Sequence, residues 1–450
     1  MIALLRSELR AGRAAWAGLV LVAAVAALAF GVAVTMLETG LREGGEVLEG
    51  SVSFLSVLLL LNLPSGAIVV AAIARLAVDL HRDFYARWLL AGVGPVQTSL
   101  VVTAQLAVAG LAGGVLGYAL TVLLAARFLH AVFAGDSSWW ATGAIETGPL
   151  TAAVVLALTV LVTVLGGLRA ALSAGRTPAL AALRTPEPEG KRMRWSRWLL
   201  LGVVVIAAGS GILSPLRADE RSTAVSQLIL LPAWLTLILA AAGPVLYPAV
   251  LRAWTGLLPA RLSSSWHLAR HQARHHLGRS TASITPLFVG ASLLGGLMTM
   301  SATTSASMDA SGLGGNFSFG LLQVMLLVGG PVLLGATGAA VVIFMSNRTQ
   351  GRERALLQAC GATDATVLCS ALLQAVIHVV TAGVLAGAVV VATGTLTAAV
   401  LGRFIEPVIV VDVAAAAMLG ALGLLLTASA TVFPALVRLH ESVPPRLAAV

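Results

Sequence analysis

The stretch RERALLQACGATDATVL, residues 352–368, decides the fold. It places a short charged run between two long apolar runs, in a chain where charged residues are scarce. An apolar strip with helical spacing runs along it, formed by Ala355, Leu356, Ala359 and Cys360. Gly361 is typical of a helix end, and Thr363 or Asp364 of the N-cap of the next helix. The stretch therefore predicts a short helix that turns through a glycine into a long apolar helix.

The long apolar runs on both sides extend through the whole chain. Of its 450 residues 58% are hydrophobic and 10% are charged, whereas a soluble domain carries about 25% charged residues. A membrane-spanning helix needs about 20 consecutive apolar residues. The charge-poor segments are 15–37, 52–74, 97–125, 149–168, 198–215, 223–249, 281–304, 320–346, 366–396 and 411–433. The sequence thus predicts an all-α polytopic membrane protein with about ten transmembrane helices, of which the third, eighth and ninth continue beyond the bilayer on one side.

The distribution of basic residues predicts the orientation of these helices. With both termini in the cytoplasm, the outer loops hold five of the 28 Lys and Arg residues, namely Arg42, Arg127, Arg217, Arg221 and Arg403. Cytoplasmic loops carry such an excess of positive charge in multi-pass proteins. The net charge of +9 is explained in this way, so membrane lipid rather than nucleic acid is the expected partner. The composition, rich in alanine, valine and arginine, favours a bacterial inner membrane.

The chain contains a parallel repeat. YARWLLAGVGPVQTSLVVTAQLAVAGLAGGVLG, residues 85–117, aligns without gaps to RALLQACGATDATVLCSALLQAVIHVVTAGVLA, residues 354–386. The alignment pairs Gly92 with Gly361, and it also pairs the polar residues Gln105 and Gln374 within two spans. We expect these glutamines to form interhelical hydrogen bonds rather than to bind substrate.

The repeat predicts a 4+2+4 arrangement of helices. A first four-helix unit covers 1–190, a two-helix linker covers 191–255, and a second four-helix unit covers 256–450. Six spans separate the two copies, so both copies face the same way.

The motif at 352–363 resembles that of the FtsX-like permeases of ABC transporters. This group includes macrolide exporters, lipoprotein-releasing complexes and bacitracin-type peptide-resistance permeases. The family pattern is approximately R-x-R-E-x-x-L-L-x-A-x-G-A-T, and the matching residues are Arg352, Glu353, Arg354, Leu356, Leu357, Ala359, Gly361, Ala362 and Thr363. The ending Pro434-Ala435-Leu436-Val437-Arg438 is also similar to the family's ending, and Thr177–Arg184 is its counterpart in the first copy.

By this resemblance, each copy carries a coupling helix that docks on a separate ATPase subunit. In the second copy, residues 349–364, Leu356, Leu357 and Ala359 would bury against the ATPase, with Arg352, Glu353 and Arg354 at the rim. In the first copy, residues 80–95, the corresponding residues are Asp83, Tyr85, Arg87, Trp88 and Gly92. Two ATPase copies would bind ATP and Mg²⁺, and this chain would bind no cofactor. Its single lysine, Lys191, lacks the G-x-x-x-x-G-K-[ST] pattern of a phosphate loop.

We expect no catalytic or metal-binding residues. No loop gathers a nucleophile with a base, or two carboxylates on one face. The histidines His267, His271 and His275 have a spacing that would suit a metal on a helix. They alternate with Arg270 and Arg274 and lack a nearby acid, so a basic helix at the membrane interface is favoured.

The resemblance implies a permease that exports or extracts a hydrophobic or amphiphilic substrate such as a lipid, peptide or drug. The outer loops Glu38–Ser51 and Thr304–Phe319 are too short to fold the extracytoplasmic domain that such relatives often carry. Two alternatives stay open. One is a signalling permease that transmits movement without transport. The other is an ion-coupled secondary transporter, although many of these have inverted repeats and an ionisable group near mid-membrane, where this sequence has no carboxylate.

Overall fold

The computed structural model describes residues 13–134, 139–175, 195–259, 263–275, 277–312 and 321–411. Within these ranges the regular elements are α-helices, with one 3-10 turn at Trp139–Ala141 and no strand. The helices are α1 (Arg13–Glu43), α2 (Gly45–Leu80), α3 (Arg82–Leu90), α4 (Pro95–Val132), α5 (Pro149–Gly175), α6 (Trp195–Arg217), α7 (Arg221–Leu228), α8 (Leu231–Leu257), α9 (Ser264–His275), α10 (Leu277–Ala310), α11 (Leu321–Ala359) and α12 (Asp364–Leu401).

Eight stretches of the described helices are long and apolar enough to cross a membrane. They correspond to the first four predicted spans and to the sixth to ninth. The fifth is represented by a shorter apolar helix, Leu201–Arg217, and the tenth, apart from residue 411, lies outside the described residues. The all-α membrane architecture is thus confirmed for the described part of the chain, whereas the count of ten stays a prediction.

The chain divides into two compact units. The first comprises Met1–Glu189 with Gly320–Val341, and the second comprises Gly190–Phe319 with Val342–Val450. The division falls within α11, whose early residues pack in the first unit. The predicted linker, 191–255, belongs to the second unit by its packing.

Small residues bring the helices of the first unit into close contact. On α4, a Cβ added at Gly113 would lie 2.5 Å from Ala23 Cβ, and one at Gly117 would lie 2.3 Å from the Ala24 carbonyl oxygen. On α11, a Cβ at Gly330 would clash with Asn62 of α2. Helices in membranes approach one another closely at such positions. Gly330, next to Pro331, therefore serves close packing of α11 against α2.

The predicted outer loop at Glu38–Ser51 is wrong, because α1 continues to Glu43 and α2 starts at Gly45. This stretch contains Glu, Arg and Leu residues, which are good helix formers. The interruption is confined to Gly44 and Gly45, whose φ angles are +71° and +56°. Only glycine reaches such angles at little cost.

In the second unit, α10 packs against α8 and α12, and the chain after α12 returns along the C-terminal end of α10. Thr303, Ser307 and Ser311 form a ladder of hydroxyl groups that bonds this returning segment. Thr303 Oγ1 donates to the Val410 carbonyl at 2.9 Å, and Ser307 Oγ and Ser311 Oγ accept from the backbone N–H groups of Val408 and Glu406 at 3.0 Å. The hydroxyl ladder satisfies backbone groups that have no helix or sheet of their own.

Candidate functional site

The first turn, residues 82–95, joins the short helix α3 to the long helix α4. Gly92 follows α3 with φ +88°. Its N–H donates to the Leu89 carbonyl at 3.2 Å, and the Val93 N–H donates to the Trp88 carbonyl at 3.0 Å. These two bonds form a Schellman motif, which ends a helix through a left-handed glycine. Helix α4 then begins at Pro95, whose fixed φ suits a first helical position.

The second turn, residues 352–364, repeats the left-handed glycine and its hydrogen bond to the carbonyl three residues earlier. Gly361 follows α11 with φ +93°, and its N–H donates to the Gln358 carbonyl at 2.9 Å. Thr363 is the N-cap of α12, and its Oγ1 accepts from the Thr366 N–H at 3.3 Å. The predicted glycine stop is confirmed, and of the two residues predicted for the N-cap, Thr363 and Asp364, the structure has Thr363 in that position.

The two turns lead into helices with matching bounds. Both α4 and α12 have 38 residues, and the repeat alignment pairs Pro95 with Asp364 and Val132 with Leu401. At 1.5 Å per residue each helix is about 57 Å long, well beyond the roughly 30 Å of a bilayer core. This agreement covers one turn and one helix of each copy.

The two turns differ in how the preceding span ends. In the first copy the helix is interrupted at His81. The Nδ1 of its ring lies 2.8 Å from the Ala77 carbonyl oxygen, and its backbone N–H donates to the Val78 carbonyl. The ring thus bonds the Ala77 carbonyl, which would accept the backbone N–H of His81 if the helix continued. In the second copy α11 is continuous from Leu321 to Ala359. The prediction of a separate short helix is therefore right for α3 and wrong for 352–359, since no residue interrupts the backbone ladder there.

The side chains predicted to couple the first copy lie in different environments. Tyr85 and Trp88 are buried within the unit, at 0% and 7% exposure, where α3 packs against α2, α4 and α5. Arg87 and Leu90 are exposed. The side chain of Asp83 lies outside the described residues. Among the described side chains of α3, the exposed ones are thus Arg87 and Leu90 rather than the aromatic residues.

In the second copy the backbone of 352–359 is helical. The side chains of Arg352, Glu353, Arg354, Leu356 and Leu357 lie outside the described part of the chain. Ala359, Gly361 and Thr363 are exposed. Gln358 Nε2 donates to Asp364 Oδ1 at 2.6 Å, which joins the end of α11 to the start of α12. The role of these residues in coupling stays a prediction.

The paired glutamines are both buried. Gln105 in α4 is 0% exposed and Gln374 in α12 is 8% exposed. Such burial suits a structural amide that bonds within the protein. The partner helix of each amide stays a prediction.

Helix α9 carries the three histidines on its exposed face, with Trp266, Ala269 and Ala273 on the buried face. Among the described residues, no group of three His, Cys, Asp or Glu side chains is placed to hold a metal ion. Arg274 bonds Thr255 and the Arg252 carbonyl of α8, and Arg270 bonds the Leu258 carbonyl. The helix is therefore tied to the end of α8 by its arginines.

Desolvation and the positive charge of α9 both act on His271. The pKa of His271 is lowered from its ordinary value, first by desolvation of the ring and then by repulsion from neighbouring cations. Those neighbours are His267, Arg270, Arg274 and His275.

Among the described residues, Glu38 and His378 are buried ionisable residues that the sequence reasoning missed. Glu38, placed in an outer loop by its charge, is 4% exposed and bonds the N-terminus of α5. His378, within α12, is 6% exposed and lies between two serines of α10. An isolated ionisable residue within an apolar run is the signal that would have found His378.

A scan against models of protein families, a search of curated proteins and a search of solved structures found no match to this chain.

Proposed function

We propose that the chain is the membrane permease of an ABC transport complex, in which a separate ATPase subunit supplies the energy. The supporting observation is the pair of glycine-closed turns, because each leads into a 38-residue helix at the same register of the repeat. A rigid turn at the end of a long helix can pass a displacement from a docked subunit into the membrane. The resemblance at 352–363 to FtsX-like permeases supports the same function.

The proposal extends to the topology and the partners. Ten spans in a 4+2+4 arrangement lie in a bacterial inner membrane, with both termini in the cytoplasm. Two ATPase subunits bind ATP and Mg²⁺, and each docks on one turn. The chain itself is not an enzyme. Closure of the ATPases draws the turns together and shifts the two four-helix units, which exports or extracts a hydrophobic or amphiphilic substrate.

Docking on the first turn uses the side chains that α3 exposes. Leu90 is 57% exposed and Arg87 lies one turn before it, so an apolar contact has a cation at its edge. A small apolar anchor inside a polar rim is a common form of specific interface. In the second turn Leu357 takes the anchoring role.

Co-purification with the ATPase encoded beside this chain tests the proposal. We would measure the mass of the detergent-solubilised complex for wild type, Leu90→Asp, Leu357→Asp and the control Leu257→Asp. Leu257 is 84% exposed at the end of α8, apart from both turns in sequence. We expect two ATPases per wild-type chain and per control chain, one in each turn variant, and none in the double variant. A wild-type chain that purifies without ATPase contradicts the proposal.

An ion-coupled secondary transporter is the second candidate, and the buried His378 favours it. It predicts uptake or efflux driven by a proton gradient in vesicles that contain the chain alone. An ABC permease shows no such flux without ATPase and ATP. A signalling permease binds the ATPase in the first experiment but moves no substrate in the vesicles.

A further inference from the structure

The end of α8 and the helix α9 that follows it form a surface rich in positive charge, which we call the basic corner. Between Arg221 and Met308 the sequence contains no aspartate or glutamate. The corner therefore has no acidic neighbour on its own two helices. It comprises the exposed residues Arg252, His267, His271 and His275 and the half-buried Arg270 and Arg274.

Two arginines of α9 use part of their hydrogen-bonding capacity within the protein. Arg274 donates from Nε and Nη2 to Thr255 Oγ1, at 3.1 and 2.9 Å, and from Nη2 to the Arg252 carbonyl at 3.0 Å. Arg270 Nη1 donates to the Leu258 carbonyl at 3.1 Å. These bonds hold both guanidinium groups against the end of α8, where helix carbonyls lack intrahelical partners.

Other donors of the basic corner are not used in this way. A guanidinium group has five N–H donors. Among the described residues, no acceptor meets Nη2 of Arg270, Nη1 of Arg274 or the exposed guanidinium of Arg252. The ion pairs of the described part of the chain are made by Arg42 of α1, so these arginines have no carboxylate partner there. The corner thus offers free N–H donors from two helices.

Electrostatic repulsion within the basic corner adds to desolvation. The pKa of Arg274 is lowered, first by desolvation and then by repulsion from Arg270 and Arg252. The pKa of His271 is also lowered by desolvation and by its basic neighbours on α9. An anion bound here would relieve the repulsion, since an opposite charge favours the charged forms of these groups.

The helices packed against α9 bring no carboxylate to the basic corner. These helices are α8, α10 and α12, and their acidic residues in the described ranges are Asp309 and Asp364. Asp309 lies at the opposite end of α10 from α9, and Asp364 accepts from Gln358 at 2.6 Å. Neither is among the charged neighbours that shift the pKa of His271 or Arg274.

The basic corner lies at a membrane boundary. Helix α8 ends the apolar stretch Arg221–Leu257, which is long enough to cross a membrane. Trp254 and Trp266 lie beside the arginines with their ring centroids 6.3 Å apart, and tryptophan is enriched at the level of lipid headgroups. Leu257 and Leu258 are 84% and 42% exposed. Cations next to exposed apolar side chains suit an anionic amphiphile better than a soluble anion.

We propose that the basic corner binds the headgroup of an anionic phospholipid, with its phosphate between Arg252 of α8 and the arginines of α9 and its acyl chains along Leu257 and Leu258. Guanidinium groups match phosphate oxygens in geometry and charge, and basic pockets at helix ends are a known form of lipid site. The lipid would join α9 to α8 by neutralising their repulsion. The site requires that α8 spans a membrane, but it does not depend on the transport function proposed above.

A lipid titration tests the sign of the headgroup charge. The purified full chain in a neutral detergent would be titrated with phosphatidylglycerol, which is anionic, and with phosphatidylcholine of the same acyl chains, which is zwitterionic. Native mass spectrometry would measure the affinity of the first bound lipid. We expect phosphatidylglycerol to bind at least fivefold more tightly. Equal affinities overturn the proposal.

Variants of Arg252 test the place of the site. We expect Arg252→Gln to weaken phosphatidylglycerol binding about fivefold and Arg252→Glu about twenty-five-fold, at about 1 kcal/mol per charge, while phosphatidylcholine binding stays unchanged. Arg169→Gln is the matched control, because Arg169 is an exposed arginine near the end of α5 in the first unit. Unchanged binding in Arg252→Glu, or an equal loss in Arg169→Gln, overturns the proposal.

Thermal unfolding separates a lipid site from a purely structural role of Arg252. Without lipid, Arg252→Gln should unfold at the same temperature as wild type or higher, because the variant loses repulsion and no internal bond. Phosphatidylglycerol should raise the unfolding temperature of wild type more than that of Arg252→Gln. A lower unfolding temperature of the lipid-free variant, or an equal gain from the lipid, contradicts the site.

An acidic surface of another protein is the alternative occupant of the basic corner. The mass of the ATPase complex would therefore be measured for Arg252→Glu as well, and we expect its ATPase content to match wild type. Loss of ATPase with unchanged phosphatidylglycerol affinity assigns the corner to a protein and overturns the lipid site. If the wild-type chain binds no ATPase, the proposed function fails and the lipid titration alone decides this site.

Discussion

At the scale of single residues, Gly92 and Gly361 allow the two turns to form. Each adopts a left-handed φ, and an added Cβ at either position meets nothing within 4 Å. A residue with a Cβ at either position therefore has enough space, but its backbone is strained at this φ. The cost of substitution is conformational, about 1–2 kcal/mol for a residue other than glycine.

We expect Gly92→Ala and Gly361→Ala to lower the free energy of unfolding by about 1–2 kcal/mol each. Gly209→Ala in α6 is the control, because it also has open space around its Cβ but lies in a helix interior. There alanine is favoured by about 0.5–1 kcal/mol. Thermal unfolding in a mild detergent would compare the three. Equal shifts for the turn variants and the control would contradict the conformational explanation.

Glu38 joins α1 to the N-terminus of α5. Its Oε2 accepts from the Gly148 N–H at 3.0 Å, the Thr151 N–H at 2.8 Å and Thr151 Oγ1 at 2.6 Å, and its Oε1 accepts from Arg42. A carboxylate at this end of a helix accepts from free N–H groups and interacts favourably with the positive end of the helix dipole.

We expect Glu38→Gln to destabilise the protein by about 1–3 kcal/mol. The amide nitrogen of glutamine cannot accept a hydrogen bond, so the groups that bond one of the two carboxylate oxygens lose their acceptor. Glu146→Gln is the matched control. Its carboxylate also pairs with Arg42, at 3.1 Å, but its side chain is 73% exposed, and exposed pairs contribute about 0–1 kcal/mol. Chemical denaturation would measure both, and a loss from Glu146→Gln as large as that from Glu38→Gln would contradict the role of burial.

At the scale of elements, the lengths of the apolar runs predicted which long helices form, but they predicted the first and last residues of those helices less accurately. The long third, eighth and ninth spans were found as α4, α11 and α12, with 38, 39 and 38 residues. Charge was taken to mark the end of a helix at Glu38 and a separate helix at 352. Charged residues with high helix propensity continue a helix when a nearby partner or solvent accepts them, so charge marks the membrane boundary rather than the helix end.

Helix α9 gives a prediction about pH. The folded state disfavours the protonated form of His271, so its pKa lies below the ordinary value of 6.5. The unfolded chain then binds more protons as the pH falls through about 6.5, and stability is lost in that direction. We expect the unfolding temperature of wild type to fall relative to His271→Gln between pH 7.5 and 5.5, in a neutral detergent. A relative rise on acidification would contradict a lowered pKa of His271 in the folded protein.

At the scale of the whole molecule, the predicted alternation of spans is reflected in the contacts within the second unit. In the second unit, Arg403 Nη1 contacts the carbonyls of Leu216 and Ala218, so two predicted outer segments meet. At the other helix ends, Arg274 meets Arg252, and both belong to predicted inner segments. Segments assigned to one side of the membrane thus contact each other.

We expect the two ends of the second unit to label from opposite sides of the membrane. Single cysteines would replace Ser222 and Ser264, both exposed, in a chain with Cys360 and Cys369 changed to serine. A membrane-impermeant maleimide added to intact cells should modify Ser222→Cys alone, and both after permeabilisation. Labelling of both sites in intact cells would contradict the predicted topology.

The sequence alone allowed prediction of the helical class, the glycine turns and an N-cap at Thr363 or Asp364. Each follows from local composition or backbone geometry. The burial of Tyr85, Trp88 and Glu38 was not predictable, because it depends on which distant helices pack against them. The same holds for His378, whose serine partners lie 95 and 98 residues away. Long-range packing leaves little local trace in a chain that is apolar nearly everywhere.

The hydroxyl ladder on α10 works because two periodicities nearly coincide. Four residues of helix rise about 6.0 Å, and two residues of extended chain rise about 6.7 Å. The mismatch of about 0.7 Å per step grows to about 1.4 Å across the three rungs from Thr303 to Ser311. Hydroxyl rotation absorbs that much, but each added step would stretch the outer bonds further. The ladder therefore sets the register between α10 and the returning chain. It fixes the register of the returning chain to a single residue. If that chain slipped by one residue, the backbone N–H and C=O groups would point away from the three hydroxyl groups.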